Sequence, residues 1–165
     1  MNATASRSLT TDQEEEALFS ILYGNSSLAV HLGGQLGSLT LTSTILGTVA
    51  ALRAKVAALA QLKKNWDGED GEPVSAETLA TTTKVLEHIS LVLSRKNILS
   101  SPSIRPFPDG SVFFKWVQGQ RELTITIHGQ NVDVQRWEPL DSYESQGLWE
   151  VSVDDTPEHI EWVLT

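Results

Sequence analysis

The feature that most constrains this chain is a change of hydrophobic period near residue 100. Before it, Ile45, Val49, Leu52, Val56, Leu59, Leu62 and Trp66 recur in steps of three and four. That spacing places them on one helical stripe. After it, Val112, Phe114 and Trp116 alternate with Phe113, Lys115 and Val117. Leu123, Ile125 and Ile127 alternate with Thr124, Thr126 and His128, and Val132 and Val134 with Asp133 and Gln135. Strict alternation belongs to strands with one buried face. Helices followed by a run of closely linked strands predict an α+β fold rather than a parallel βαβ architecture.

The local signals fill in this outline. Ser75 is a candidate N-cap for a second helix, and Val74 and Leu79 have the spacing of a hydrophobic staple across its start. Leu79, Leu86 and Leu93 share a face with Thr82 and Ile89; Arg95 and Lys96 suit the last turn, and Asn97 can end it. The short link between the two helical patterns predicts an antiparallel hairpin from about residue 43 to Lys96. Ser101-Pro102-Ser103 reads as loop and Pro106-Phe107-Pro108-Asp109-Gly110 as turn. His128-Gly129-Gln130-Asn131 suits a tight hairpin. Trp149, Val151 and Val153 suggest a fourth strand after a loop over 139–147, and Thr156-Pro157 starts a short final helix carrying Ile160 and Val163. The expected fold is a helical hairpin on a three- to four-stranded antiparallel β-meander, with a short terminal helix.

The amino-terminal part is less regular. Residues 1–11 are small and polar. Asp12 to Tyr23 can form a short helix, with Ala17, Leu18, Ile21 and Leu22 on one face behind Glu14, Glu15 and Glu16. Gly33, Gly34 and Gly37 weaken a helix reading, and Leu39-Thr40-Leu41-Thr42 alternates like a short strand. The expected division is a tail and docking helix over 1–42 and an α+β domain over 43–165.

Composition narrows the function classes. A net charge of -9, from 21 acidic and 12 basic residues, disfavours binding to nucleic-acid phosphates and suits a basic protein partner. The chain has no cysteine, which excludes disulfides, thiolate metal sites and a cysteine nucleophile. The mean hydropathy of -0.14 is that of a soluble protein. No signal-peptide pattern and no run of about 18 apolar residues stand in the sequence, so a cytoplasmic protein without a membrane segment is expected.

The segment between the helical patterns, Asn65-Trp66-Asp67-Gly68-Glu69-Asp70-Gly71-Glu72-Pro73, is chemically unusual. A plain connector needs its glycines and proline but not a tryptophan. Trp66 continues the apolar stripe, so it is expected to plug the helix–sheet interface, where an indole buries on the order of 200 Å². Asp67 is placed to accept backbone N–H bonds, and Gly68 and Gly71 allow conformations denied to other residues. Together with Pro106–Gly110 and a strand carrying Trp116, the Asn-Trp-Asp-Gly…Gly-x-Pro pattern resembles a widespread set of small, poorly characterised bacterial domains. The resemblance covers roughly residues 45–135, on Asn65, Trp66, Asp67, Gly68, Gly71, Pro73, Asp109, Gly110 and Trp116. It departs at Glu69-Asp70, where such domains carry an aromatic after Asp-Gly. It implies a compact α+β domain and no particular reaction.

The sequence carries no complete reactive constellation. Asn65, Asp67, Glu69 and Asp70 offer oxygens at nearly alternating positions, but an EF-hand register puts Asp70 where glycine is required and Ala76 where glutamate is. His31, His88, His128 and His159 show no HExxH spacing, and GxSxG is absent. His88 reads as a surface or interface residue and His128 as solvent-facing. Gly33-Gly34-Gln35-Leu36-Gly37 lacks the ending of a phosphate loop. The terminal helix, with Glu158 and Glu161, is too acidic for a double-stranded-RNA-binding domain.

A non-enzymatic interaction protein or accessory subunit is therefore expected, with no cofactor, no metal and no small-molecule substrate. Its partner is another protein, of basic character, or a second copy. Candidate partner-binding residues are Leu18, Phe19, Leu22 and Tyr23 near the amino terminus, and Trp137, Tyr143, Trp149 and Trp162 late in the chain. The alternatives are an acidic immunity or antitoxin-like protein neutralising a basic toxin or nuclease, and a small hydrolase using the acidic loop.

Overall fold

The structure, a computed structural model, describes residues 39–139 and 147–165. The expected helix at Asp12–Tyr23 lies outside the described residues, as do Leu18, Phe19, Leu22, Tyr23, His31 and Tyr143. Helices α1 (Leu39–Leu59) and α2 (Ala76–Lys96) precede five strands: β1 (Ser103–Pro106), β2 (Val112–Gln118), β3 (Arg121–His128), β4 (Asn131–Trp137) and β5 (Gly147–Val151). A 3-10 turn (Val153–Asp155) leads into α3 (Thr156–Leu164). The strands form one sheet in the order β1-β2-β3-β4-β5, antiparallel at every pairing. The fold is α+β.

Helix α2 follows its sequence signals closely. The Ser75 hydroxyl accepts the Thr78 N–H at 3.0 Å, satisfying one of the first-turn donors. Asn97 ends the helix in the left-handed region, with φ 54°. Thr78, Thr82, Val85, Leu86, Ile89 and Leu93 form the buried face. Short turns let β2, β3 and β4 each double back on the strand before. At the β3–β4 turn Gly129 has φ 62°, which a side chain would strain.

One side of the sheet carries the core. Ile104, Phe114, Ile125 and Val134 share a row across four strands, and all are buried against the helices with Leu52, Leu59, Ile89 and Ile160. Trp116 is among the largest fully buried side chains. The residues between them in sequence point to the other side of the sheet.

Several expectations need correction. The sheet has five strands rather than three or four. The missed strand is β1, read as loop and turn because only Ile104 among its Ser-Ile-Arg-Pro residues is a strong strand former. Its position at the sheet edge accommodates Pro106, which has no N–H for a ladder. Residues 39–42 belong to α1 and not to a strand. Alternation over four residues is too short to separate the two periods, and the helix starts ahead of the expected boundary at 43. At its other end α1 stops at Leu59, so Leu62 and Trp66 are not on its stripe. The amides of Ala60, Gln61 and Leu62 bond three residues back, to Ala57, Ala58 and Leu59, tightening the last turn and diverting the chain. The link to α2 is consequently longer than expected. Val153 lies in the 3-10 turn rather than in β5, because the Ser152 hydroxyl accepts the Asp154 N–H and turns the backbone.

Candidate functional site

The acidic loop is stitched mostly to itself. Asn65, at φ 66°, donates its N–H to the Gly71 carbonyl at 2.7 Å, and its Oδ1 accepts the Asp70 N–H at 2.9 Å. Asp67 Oδ1 accepts the N–H groups of Glu69 at 2.9 Å and Gly71 at 2.8 Å. Those bonds, Glu69's first, hold the Asp67 carboxyl below its ordinary range. A Cβ at Gly71 would lie 2.7 Å from the Asp67 carboxylate, so a side chain there would push the carboxylate off the bonds that close the turn. The Glu72 N–H then donates to the Pro108 carbonyl at 2.7 Å, and a Cβ at Gly110 would lie 3.0 Å from the Pro73 carbonyl. Asp109 Oδ1 accepts the Ser111 hydroxyl at 2.6 Å and the Ser111 N–H at 3.0 Å. These bonds, the hydroxyl's first, lower its pKa. The Asn65–Pro73 loop and the Pro106–Gly110 turn are thus two halves of one corner.

Trp66 is only half-buried and stands outside the hydrophobic core. Its indole N–H donates to the Glu72 carbonyl at 3.0 Å. It clasps its own loop instead of plugging the helix–sheet interface, a consequence of α1 ending seven residues earlier than the stripe suggests. Trp116 fills the role expected of Trp66.

The described histidines are dispersed. His88 is half-buried, with Nδ1 3.1 Å from the Val153 carbonyl and 3.0 Å from Thr156 Oγ1, so it ties α2 to the turn before α3. His128 is exposed at the end of β3, and His159 is half-buried on α3. Among the described residues no group of three or more His, Asp or Glu side chains could hold a metal ion. A groove of about 400 Å³ runs between α1 and α2, lined by Arg53, Val56, Ala57, Leu79, Thr83 and Leu86.

Two surfaces of the sheet carry the remaining chemistry. On the side away from the helices, one cross-strand row reads Arg105, Phe113, Thr126, Asp133, Glu150. The next reads Ser103, Lys115, Thr124, Gln135, Leu148, and a third reads Val117, Glu122, Trp137. Described helices cover none of it. Leu148 is 72% exposed, Val117 64% and Trp137 42%. Phe107 packs on Phe113 at this face, ring centroids 4.7 Å apart. Lys115 pairs with Glu122 at 2.7 Å, whereas Asp133 and Glu150 stand opposite one another without a basic residue in the same cross-strand pair.

On the helix side, the end of the sheet under α3 is built differently. Leu123 and Arg136 face one another across β3 and β4, and Gly147 faces Arg136 from β5. The Arg136 guanidinium lies over both indoles, Cζ to centroid 5.8 Å for Trp149 and 5.1 Å for Trp162. Arg121 also lies over Trp162, at 5.3 Å, but is held by Glu138 Oε1 at 2.9 Å and the Trp162 carbonyl at 2.9 Å. Among the described residues the acid partner of Arg136 is Glu158, 3.6 Å away and 83% exposed. Desolvation lowers the Arg136 pKa. The His159 pKa is lowered by burial first, then by the charge of Arg136.

The late aromatics therefore do not form one surface: Trp137 is on the open face, and Trp149 and Trp162 are on the helix side. Arg121, Arg136, His159, Val117 and Leu148 were missed by reading for aromatics alone. The alternation Val132, Val134, Arg136 already points Arg136 inward, and this signal was available in the sequence. No helix among the described residues is long and apolar enough to cross a membrane. No family model, curated protein or solved structure matches this chain.

Proposed function

We propose that this protein is a non-enzymatic binding module, an accessory subunit that holds a basic protein partner on the open face of its sheet. The observation that carries this reading is the β4–β5 end of that face. There the exposed Leu148, paired with Gln135, stands between the exposed Trp137 on one side and the facing carboxylates of Asp133 and Glu150 on the other. An exposed indole beside apolar surface is a preferred interface anchor, and the carboxylates would accelerate encounter with a cationic surface. The same acidic pair, with the net charge of -9, favours an immunity or antitoxin-like role as the second reading, in which the partner is a basic toxin or nuclease. The likeness to the Asn-Trp-Asp-Gly domains supports a shared scaffold, because both halves of the motif meet in one corner, but it gives no reaction. A cytoplasmic location belongs to this proposal.

The test is affinity capture by the full chain from a lysate of its source, beside a Trp137→Asp, Leu148→Asp double variant. The expected result is a basic protein recovered by the wild type, weakened by salt and lost from the variant at unchanged melting temperature. A wild-type chain that sediments as a monomer and recovers nothing lost by the variant would overturn the reading.

A further inference from the structure

The described residues contain four buried side-chain nitrogens without a hydrogen-bond partner: Trp116 Nε1, Arg136 Nε, Arg136 Nη2 and His159 Nδ1. Trp116 faces Leu123 and Leu123 faces Arg136 in one row of the sheet, and His159 is on the helix above. Native proteins leave few such groups, and a buried guanidinium edge whose acid neighbour, Glu158, is 3.6 Å from Nη2 and makes no hydrogen bond is among the costlier ones. The identity of the two arginine atoms is informative. Nε–H and one Nη2–H point the same way from the planar guanidinium, and together they form the edge that grips a carboxylate through two parallel bonds.

The surroundings decide what could fill that edge. Arg136 has a side chain 17% exposed and indole neighbours at Trp149 and Trp162, so an anion there would be shielded from water. Trp149 is the outer wall. It sits on the edge strand β5, is 39% exposed, and folds back so closely that a Cβ on Gly147 would meet its ring. Glycine at 147 is what lets the indole lie there. His159, with its ring centroid 5.9 Å from that of Trp149, brings a second unpaired nitrogen to the same place.

We infer that the Nε/Nη2 edge of Arg136, roofed by Trp149 and flanked by His159, is a receptor for a carboxylate group, admitted when the Trp149 indole swings off Gly147. The guanidinium fork matches carboxylate and phosphate oxygens alike, but burying the more highly charged phosphate costs more, and Lys cannot reproduce the paired bonds. The carboxylate can come from a free small acid or from an acidic side chain of a peptide. This site is on the opposite side of the sheet from the open face and stands independently of the reading given for that face.

The experiment is a titration of the full isotope-labelled chain followed at the Arg136 Nε–H and Trp149 indole N–H resonances. Three probes are used at constant ionic strength: sodium acetate, a blocked peptide with one glutamate, and sodium phosphate, with sodium chloride as the reference. Saturable movement of both resonances with acetate or the glutamate peptide, and with neither phosphate nor chloride, is expected. Response to acetate alone identifies a small-acid site, and response to the peptide in addition identifies a side-chain receptor. Arg136→Lys, read at the Trp149 indole, should bind on the order of tenfold more weakly. Glu158→Gln should bind at least as well as wild type, because it removes a competing carboxylate. No saturable shift in wild type and Glu158→Gln, or an equal response to phosphate, overturns the proposal. Should Arg136→Lys fail to fold, the wild-type and Glu158→Gln titrations decide alone.

Discussion

The corner formed by Asn65–Pro73 with Pro106–Gly110 and the sheet end around Arg136 are both rich in polar groups near a tryptophan, yet they solve opposite problems. In the corner the side-chain oxygens of Asn65, Asp67 and Asp109 each accept a nearby backbone N–H, and the Trp66 N–H finds the Glu72 carbonyl. Under α3 the side-chain nitrogens of Arg136, His159 and Trp116 are shut away from water without a hydrogen bond, and Glu158 reaches Arg136 only as an ion pair at 3.6 Å. Polar groups satisfied by their own loop define a shape. Polar groups left unsatisfied where water cannot compensate retain the capacity to bind something else. A carboxylate-rich loop is therefore weaker grounds for a binding site here than a single arginine under two indoles.

The two tryptophans of the Asn-Trp-Asp-Gly pattern give the sharpest way to break this comparison. Trp116→Ala should destabilise the fold by about 3–5 kcal/mol in urea unfolding, because a fully buried indole leaves a cavity in the core. Trp66→Ala should cost about 1–2 kcal/mol, the loss of one hydrogen bond and of partial burial. Equal losses would mean that the corner is part of the core after all.

Acid titration separates the two regions by pH window. The His159 pKa is held below its ordinary value, so the folded state resists protonation that the unfolded chain accepts. Its contribution to stability is complete above about pH 6.5 and is lost progressively as the pH falls from there toward the folded value. Asp67 is likewise depressed, but as an acid. Its contribution holds above about pH 4 and fades as the pH drops through its folded value. Unfolding measured from pH 7.5 to 5 should thus weaken in wild type and flatten in His159→Gln, while Asp67→Asn leaves that interval unchanged. An unchanged slope in His159→Gln would remove the imidazole from the buried cluster.

The smallest effect belongs to the surface of the corner. The Lys64–Glu72 ion pair, 3.1 Å long with both side chains more than half exposed, should contribute under about 0.5 kcal/mol. Lys64→Ala melting within about 2 °C of wild type is expected. A larger drop would show that the corner depends on charge and not on its backbone bonds.

The sequence by itself determined the α+β class, helix α2 with its Ser75 cap, the three central strands and the short terminal helix. Each rests on periodicity or capping within a few neighbouring residues. It also placed Asp67 as an acceptor of backbone N–H bonds, since Asx turns are local. Only the tertiary structure decided where α1 stops, that Ser-Ile-Arg-Pro is an edge strand, and which tryptophan is the core plug. A continuing apolar stripe does not report where the backbone leaves the helix, and a four-residue edge strand exists only because β2 offers it a ladder. The separation of Trp137 from Trp149 follows from strand register, which sends neighbouring side chains to opposite faces of the sheet, and Trp162 joins Trp149 because α3 packs on the helix side. The buried edge of Arg136, without a hydrogen bond, arises only when α3 folds over β4, because burial and the distance to the nearest acceptor are properties of the assembled layers and of no single segment.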